Sequence, residues 1–160
     1  MTATAMRAIL LVAFLVFALD QATKHAVLFG LGLMERGVID VAPPFLRFVM
    51  AWNRGVNFGL GASGSDLVRW GLVGLAVVIS GALLLWARGR GDLWFRFGVG
   101  LVVGGAIGNA LDRVRFGAVA DFLNMSCCGI DNPYVFNVAD IAIFAGAGLL
   151  IFVGSEKRRA

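Results

Sequence analysis

The chain is poor in the residues from which most hydrolytic and redox sites are built. Its 160 residues include one histidine, two cysteines and three prolines. The histidine, His25, lies in an apolar segment without a serine or a second histidine to pair with, so neither a catalytic triad nor a metal site is expected. Cys127 and Cys128 are adjacent, which gives neither a disulfide framework nor metal-ligand spacing. We therefore expect no metal and no other cofactor.

Charge is also scarce. Charged residues make up 15% of the chain, against about 25% in soluble domains. Apolar residues make up 59%, and the mean hydropathy is +0.86. These values exclude a soluble core with one anchor and indicate a polytopic membrane protein. The net charge of +4 then reports membrane topology, and no nucleic-acid partner is expected.

Four apolar segments are long enough to cross a membrane. They cover about residues 8–28, 67–87, 95–111 and 137–153, each close to the ~20 residues that a spanning helix needs. The sequence predicts one integral-membrane domain, residues 1–160, of the membrane all-α class with four transmembrane helices.

Positive charge predicts the orientation of these helices. Basic residues cluster at Arg7, between residues 88 and 96, and at 157–159. With four spans, all three clusters fall on one side, so both termini are expected in the cytoplasm. The outer segments contain strand-like runs at 38–41, 45–52 and 119–123, which predict a small extracytoplasmic β-sheet.

Glycines in the third apolar segment recur at every fourth residue. Gly100, Gly104 and Gly108 share one helix face, and such spacing lets another helix approach closely. Three glycines predict the same for the second helix: Gly71, Gly74 and Gly81.

Polar side chains recur at one depth in three separate helices. The rise along the helix from Arg7 to Asp20 is about 20 Å, and the rise from Arg96 to Asn109 is also about 20 Å. Asp140 lies about 21 Å from the other end of its helix. Carboxylates at membrane depth are costly, so their shared plane in the outer third of the bilayer indicates a function. Two Asn-x-x-Asp elements, at 109–112 and 137–140, carry part of this plane.

Two of these acids have a cation nearby in sequence. Asp20 and Lys24 are four residues apart with the acid first, which favours a local ion pair; a role facing the substrate is the equal alternative. Arg113 either neutralises Asp112 or extends to the membrane surface.

The residue types alone leave three functions open. Two aspartates held close together share a proton, and such a pair can activate water for attack on a peptide carbonyl. The same carboxylates could instead form a proton or cation site of a small transporter. Spacing alone favours neither of these two. A tetraspan scaffold without chemistry is the third reading.

Five motifs follow one another over essentially the whole chain: Asp20-Gln21-x-x-Lys24, Asn53-Arg54-Gly55-x-x-Phe58-Gly59, Gly104-Gly105-Ala106-x-Gly108-Asn109-x-x-Asp112-Arg113, Val119-Ala120-Asp121-Phe122 and Phe136-Asn137-Val138-Ala139-Asp140. In this order they resemble the motifs of lipoprotein signal peptidase, the type II signal peptidase family of bacteria. One departure is Asn57, where family members commonly have alanine.

The resemblance implies an aspartic endopeptidase with Asp121 and Asp140 as its catalytic pair. Its substrates would be diacylglyceryl-modified prolipoproteins, cut just before the lipid-bearing cysteine. The enzyme would lie in the bacterial inner membrane, in contact with lipids, with its site facing the periplasm, and would bind cyclic-peptide inhibitors such as globomycin. The residues expected to support or line the site are Asp20, Lys24, Asn53, Gly55, Gly108, Asn109, Asp112, Arg113, Asn137 and Ala139.

Overall fold

The computed structural model describes residues 3–55, 66–88, 92–127, 129 and 132–156. Four long helices and one small sheet make up the fold. Asn57, Phe58, Gly59 and Cys128 lie outside the described residues, as do Arg90 and the basic residues 157–159. The helices are α1 (Ala3–His25), α2 (Leu33–Arg36), α3 (Asp66–Ala87), α4 (Leu93–Phe116) and α5 (Val138–Glu156); the strands are β1 (Val38–Ala42), β2 (Leu46–Asn53) and β3 (Val119–Met125).

Within the described residues, three helical segments are long and apolar enough to cross a membrane: Ala5–Gly30, Asp66–Ala87 and Leu93–Phe116. The first combines α1 with the π-helical turn Ala26–Gly30 that continues it. The apolar part of α5, Val138–Gly154, is shorter. The structure therefore has three candidate spans and a fourth, shorter apolar helix, and the predicted count of four spans is not confirmed by length alone.

Helix α4 is the centre of the bundle, because α1, α3 and α5 each pack against it. It begins where Asp92 accepts a hydrogen bond from the Phe95 N–H at 3.1 Å, which satisfies a free donor of the first turn. It ends at Gly117, whose φ of 78° is the left-handed conformation that closes many helices.

Glycines on two faces of α4 let its neighbours approach. A Cβ at Gly104 would lie 2.5 Å from the Ala13 carbonyl oxygen of α1, and one at Gly105 would lie 2.5 Å from the Ala139 carbonyl oxygen of α5. The predicted close approach at Gly100, Gly104 and Gly108 is thus confirmed, because each would clash with α1 if it carried a side chain.

The same prediction for α3 is wrong. A Cβ built at Gly71, Gly74 or Gly81 meets no atom of the described residues within 4 Å beyond the helix's own backbone. Helix α3 packs on α4 through larger side chains, such as Trp86 against Phe95, and is also joined to it by a polar contact. The Arg69 guanidinium donates to the carbonyl oxygen of Arg113 at 2.7 Å, which accepts from the Gly117 N–H as well, and to that of Val114 at 2.8 Å, in the last turn of α4.

The three strands form an antiparallel sheet in the order β1-β2-β3. The predicted strands are confirmed, with a bulge in the β2–β3 pairing between Phe48 and Ala51. Phe122 of β3 packs in a cluster with Val27, Leu28 and Leu33, so the sheet is fixed to the π-helical turn that continues α1 and to α2. This packing holds Asp121 in β3 beside the ends of α4 and α5.

Candidate active site

Asp121 is held by two neutral amides. The Asn137 Nδ2 donates to Asp121 Oδ1 at 2.6 Å, and the Asn53 Nδ2 donates to Asp121 Oδ2 at 3.1 Å. Asn137 directly precedes α5 and is fully buried, whereas Asn53 ends β2. The carboxylate of β3 is therefore fixed from both sides by residues of other elements.

Asp140, in the first turn of α5, is bound in the same manner. Its Oδ1 accepts from the Asn109 Nδ2 at 2.8 Å, and its Oδ2 accepts from the Asn137 main-chain N–H at 3.3 Å. Asn137 thus contacts both carboxylates, one through its side chain and one through its main chain. We call Asp121 and Asp140 the outer pair.

The orientation of both amides follows from their other partners. Lys24 Nζ donates to Asn109 Oδ1 at 3.3 Å, so the Asn109 NH2 group must face Asp140. The Asp140 N–H donates to Asn137 Oδ1 at 2.9 Å, which turns the Asn137 NH2 group towards Asp121. Because each amide has one donor end and one acceptor end, neither can be reversed without placing acceptor against acceptor.

A second pair of carboxylates lies behind the first and is neutralised by a cation. Lys24 Nζ is 2.8 Å from Asp20 Oδ2 and 2.6 Å from Asp112 Oδ2. With Asn109, these use all three ammonium donors. Gln21 Nε2 bridges the same acids, at 3.1 Å from Asp20 and 3.0 Å from Asp112. We call Asp20 and Asp112 the inner pair; both are fully buried.

The inner pair also binds main-chain groups next to the outer pair. Asp20 Oδ1 accepts from the Ala139 N–H at 3.0 Å, and Asp112 Oδ2 accepts from the Ala120 N–H at 3.2 Å. Ala139 precedes Asp140, and Ala120 precedes Asp121 in the chain. Gly108 makes room for Asp20, since a Cβ there would lie 2.8 Å from Asp20 Oδ2.

Arg113 borders the site and forms no ion pair with a carboxylate of the described residues. Its Nη1 donates to the Asn109 carbonyl oxygen at 3.3 Å, and its buried Nε has no hydrogen-bond partner among the described residues. Gly55 lies beside it with a φ of 89°, and a Cβ at Gly55 would be 3.5 Å from Arg113 Nη2 and would overlap the Leu72 side chain. The cation at Asp112 is thus Lys24 and not Arg113.

Charge compensation differs between the two pairs. Within the described part of the chain, no Lys or Arg nitrogen comes within 4.0 Å of the outer carboxylates. Burial and, second, the nearby charge of Asp140 together raise the pKa of Asp121 to about 6, against the hydrogen bonds from Asn53 and Asn137 and the charge of Lys24, which lower it. Asp121 therefore retains its proton far more readily than an exposed aspartate.

The outer pair opens into a pocket of about 700 Å³. Asn53, Asp121 and Asp140 form its polar end. The remaining wall is apolar and comes from the segment before α5 and from one face of α5: Tyr134, Val135, Phe136, Ile141, Phe144 and Ala145.

The structure brings most of the predicted site residues into one network, although three contributors were not predicted. Gln21 was part of a motif but had no expected role. The main-chain N–H of Ala120 carries no signal in a sequence. The α5 wall follows Asp140 at helical spacing, so Ile141 and Phe144 could have been found. Direct hydrogen bonds or ion pairs connect Asp20, Lys24, Asn53, Asn109, Asp112, Asp121, Asn137, Ala139 and Asp140.

An apolar helical bundle in which the buried Asp121 and the half-buried Asp140 border a pocket defines a membrane protein with a polar reaction or binding site. The signal peptidase (SPase) II family profile, a peptidase family, matches residues 12–154. The chain belongs to the signal peptidase II family.

Similar proteins cover nearly the whole chain. The lipoprotein signal peptidase of Methylobacterium sp. (strain 4-46) is 48% identical over 142 residues, which are 88% of this chain and 85% of that protein. The lipoprotein signal peptidase of Rhodopseudomonas palustris (strain TIE-1) is 38% identical over 152 residues, 93% of this chain and 92% of that protein.

Two solved structures share the fold. Both are bacterial membrane enzyme structures determined by the in meso method, at 2.3 Å and 1.9 Å resolution. Each is 28% identical to this chain. The TM-scores are 0.75 and 0.77; the first match covers 94% of this chain and 88% of the other, and the second 91% and 90%.

Proposed function

We propose that the protein is an aspartic endopeptidase that removes the signal peptide from diacylglyceryl-modified prolipoproteins, cutting before the lipid-bearing cysteine. The observation that carries the proposal is the outer pair: two carboxylates, Asp121 and Asp140, bridged by Asn137 and open to an apolar pocket. Membership of the signal peptidase II family supports the substrate class.

The raised pKa of Asp121 supports different tasks for the two acids. Asp121, with its raised pKa, holds the proton, and the Asp140 carboxylate accepts one from a water molecule as the water oxygen bonds to the scissile carbonyl carbon. Asp121 gives its proton to the carbonyl oxygen. When the tetrahedral diol collapses, the C–N bond breaks, Asp140 protonates the leaving amine and a diol proton returns to Asp121.

The inner pair supports this arrangement through Lys24. Its ammonium holds Asn109, and Asn109 donates to Asp140. Asp20 and Asp112 fix the main chain next to each catalytic acid. In this proposal Gly55 and Arg113 border the substrate, and no metal or other cofactor takes part.

The proposed setting is the bacterial inner membrane, with α1, α3, α4 and α5 as four spans and both termini in the cytoplasm. The sheet and the outer pair would then face the periplasm, where water reaches the carboxylates. The acyl chains of the substrate would stay in lipid beside the apolar face of α5, on which Phe144 is 79% exposed. Cyclic peptides such as globomycin would compete for the pocket.

Cleavage of a purified diacylglyceryl-modified prolipoprotein tests the proposal. The protein is expected to release the signal peptide, and Asp140→Asn is expected to release none. An absence of cleavage together with a proton or cation flux across proteoliposomes that depends on Asp140 would identify the transporter instead. If neither cleavage nor flux is observed, the scaffold without chemistry is the remaining function.

A further inference from the structure

The segment before α5 runs beside β3 as a short additional strand. Phe136 and Leu123 exchange both main-chain hydrogen bonds, with N-to-O distances of 2.8 Å and 3.0 Å. One edge of the segment Tyr134–Phe136 is therefore occupied by the sheet.

The other edge of this segment carries the peptide groups of Val135. In an extended chain the N–H and C=O groups of successive residues point to opposite edges. Since those of Phe136 face β3, those of Val135 face away from it. Neither the Val135 N–H nor its C=O has a hydrogen-bond partner within residues 3–55, 66–88, 92–127, 129 and 132–156.

Side-chain contacts hold the segment in its extended form. The Asn124 Nδ2 donates to the carbonyl oxygens of Asn132 at 2.7 Å and Tyr134 at 3.0 Å. The Tyr134 N–H donates to Asn132 Oδ1 at 3.0 Å. A strand fixed before its partner arrives loses little conformational entropy when it pairs.

The open edge lies beside the outer pair. Val135 lines the same pocket as Asp121 and Asp140, and Asn137, which bridges those two acids, follows it by two residues. At about 3.3 Å per residue of strand, a peptide paired with Val135 reaches the carboxylates within about two residues. Addition of an extended peptide to an exposed strand edge is a common way to bind a peptide main chain.

We infer that Tyr134–Phe136 binds the substrate peptide next to the scissile bond as an added β-strand, through the main-chain N–H and C=O of Val135. The inference rests on the proposed function and adds to it the form in which the peptide is bound. Because main-chain groups make the contact, it accepts many side chains at the paired substrate residue.

N-methylation of the substrate tests the pairing. A synthetic peptide with an S-diacylglyceryl cysteine is compared with versions methylated at one main-chain nitrogen each, on both sides of the scissile amide, which stays unmodified. We expect kcat/KM to fall about tenfold for the one version whose methylated nitrogen would donate to the Val135 C=O, and less than about twofold for the versions methylated at the neighbouring nitrogens. An equal loss at every position, or none at any, would overturn the inference while cleavage of the unmethylated peptide upholds the proposed function. An uncleaved unmethylated peptide would overturn both.

Two variants of the full chain test whether Val135 is the residue that pairs with the substrate peptide. Val135→Pro removes the N–H and retains an extended backbone, whereas Val135→Ala keeps the N–H. In Val135→Pro, kcat/KM for the unmethylated peptide is expected to fall about tenfold, because the N–H that donates to a substrate carbonyl oxygen is lost, and in Val135→Ala to change less than about twofold. An unchanged kcat/KM in Val135→Pro would overturn the assignment to Val135. If this variant does not accumulate in the membrane, the scan on the unaltered protein decides.

Discussion

The inner and outer pairs are both bound by well-oriented donors, and all four aspartates are buried except the half-buried Asp140, yet the two pairs differ in the groups that neutralise them. The inner pair shares the ammonium of Lys24. The outer pair is bound by amides and a main-chain N–H, with Asn137 common to both acids. In the proposed function the inner pair, bound to Lys24, supports the site, whereas the outer pair, bound by amide and main-chain donors, shares the catalytic proton. The pairing with Lys24 thus distinguishes the two carboxylates that we propose as supporting from the two that we propose as catalytic.

The largest expected effect separates the two pairs by activity. Asp121→Asn and Asp140→Asn should each lower prolipoprotein cleavage at least about a thousand-fold, because the shared proton is lost. Both variants should still accumulate in the membrane. Cleavage rates and membrane levels, measured side by side, check this. Near-full activity in either variant would remove that residue from the catalytic pair.

The next effect separates the pairs by stability. Lys24→Met leaves two buried carboxylates without their cation, and we expect a loss of about 3–5 kcal/mol in the free energy of unfolding. Denaturation in detergent measures it. Arg47→Ala breaks only the exposed pair with Asp40 and is a control that should change stability by less than about 1 kcal/mol. Restored stability on adding Asp112→Asn to Lys24→Met would assign the loss to the uncompensated charge.

A smaller effect should follow from crowding the inner pair. A Cβ in Gly108→Ala would lie 2.8 Å from Asp20 Oδ2, so we expect destabilisation by about 1–3 kcal/mol. Gly71→Ala is the matched control, because its Cβ meets no described neighbour and helix propensity favours alanine. Equal thermal stability of the two variants would contradict the role given to Gly108.

The smallest effect concerns the proton of the outer pair. Since the pKa of Asp121 is raised to about 6, kcat/KM should fall as the pH rises and the acid form is lost. The Asn53 side chain stabilises the ionised form of Asp121. Asn53→Ala should therefore raise this pKa and move the alkaline limb of the profile to higher pH. Measured pH profiles of kcat/KM check the direction, and a shift to lower pH would contradict it.

Sequence reasoning predicted the helices and strands well, because apolar length and alternation report burial directly. Helical rise also brought Asp20, Asn109 and Asp140 to one depth, and the structure links Asn109 to Asp140 and, through Lys24, to Asp20. The prediction from the glycines of α3 was wrong, because regular spacing shows that residues share one helix face but not whether another helix packs on that face. The motif resemblance, and not residue spacing, was the reason to predict Asp121 rather than Asp112 as a member of the catalytic pair.

Other parts of the site were beyond sequence reasoning for a physical reason. Lys24 is one turn from Asp20 but eighty-eight positions from Asp112, and local rules carry no information on the second contact. Main-chain donors such as the N–H groups of Ala120 and Ala139 are present in nearly every residue, so only the fold reveals which of them are used. The open strand edge at Val135 cannot be predicted from the sequence for the same reason, because it too consists of main-chain groups.

The pairing of Asp20 with Lys24 also bears on how the chain enters the membrane. The two residues lie four apart on α1, so this helix carries its own counter-ion before any later segment has been synthesised. Asp112 reaches the same ammonium only when α4 arrives. The first helix can therefore cross the bilayer with its charge already compensated, and the later helices complete the network around it.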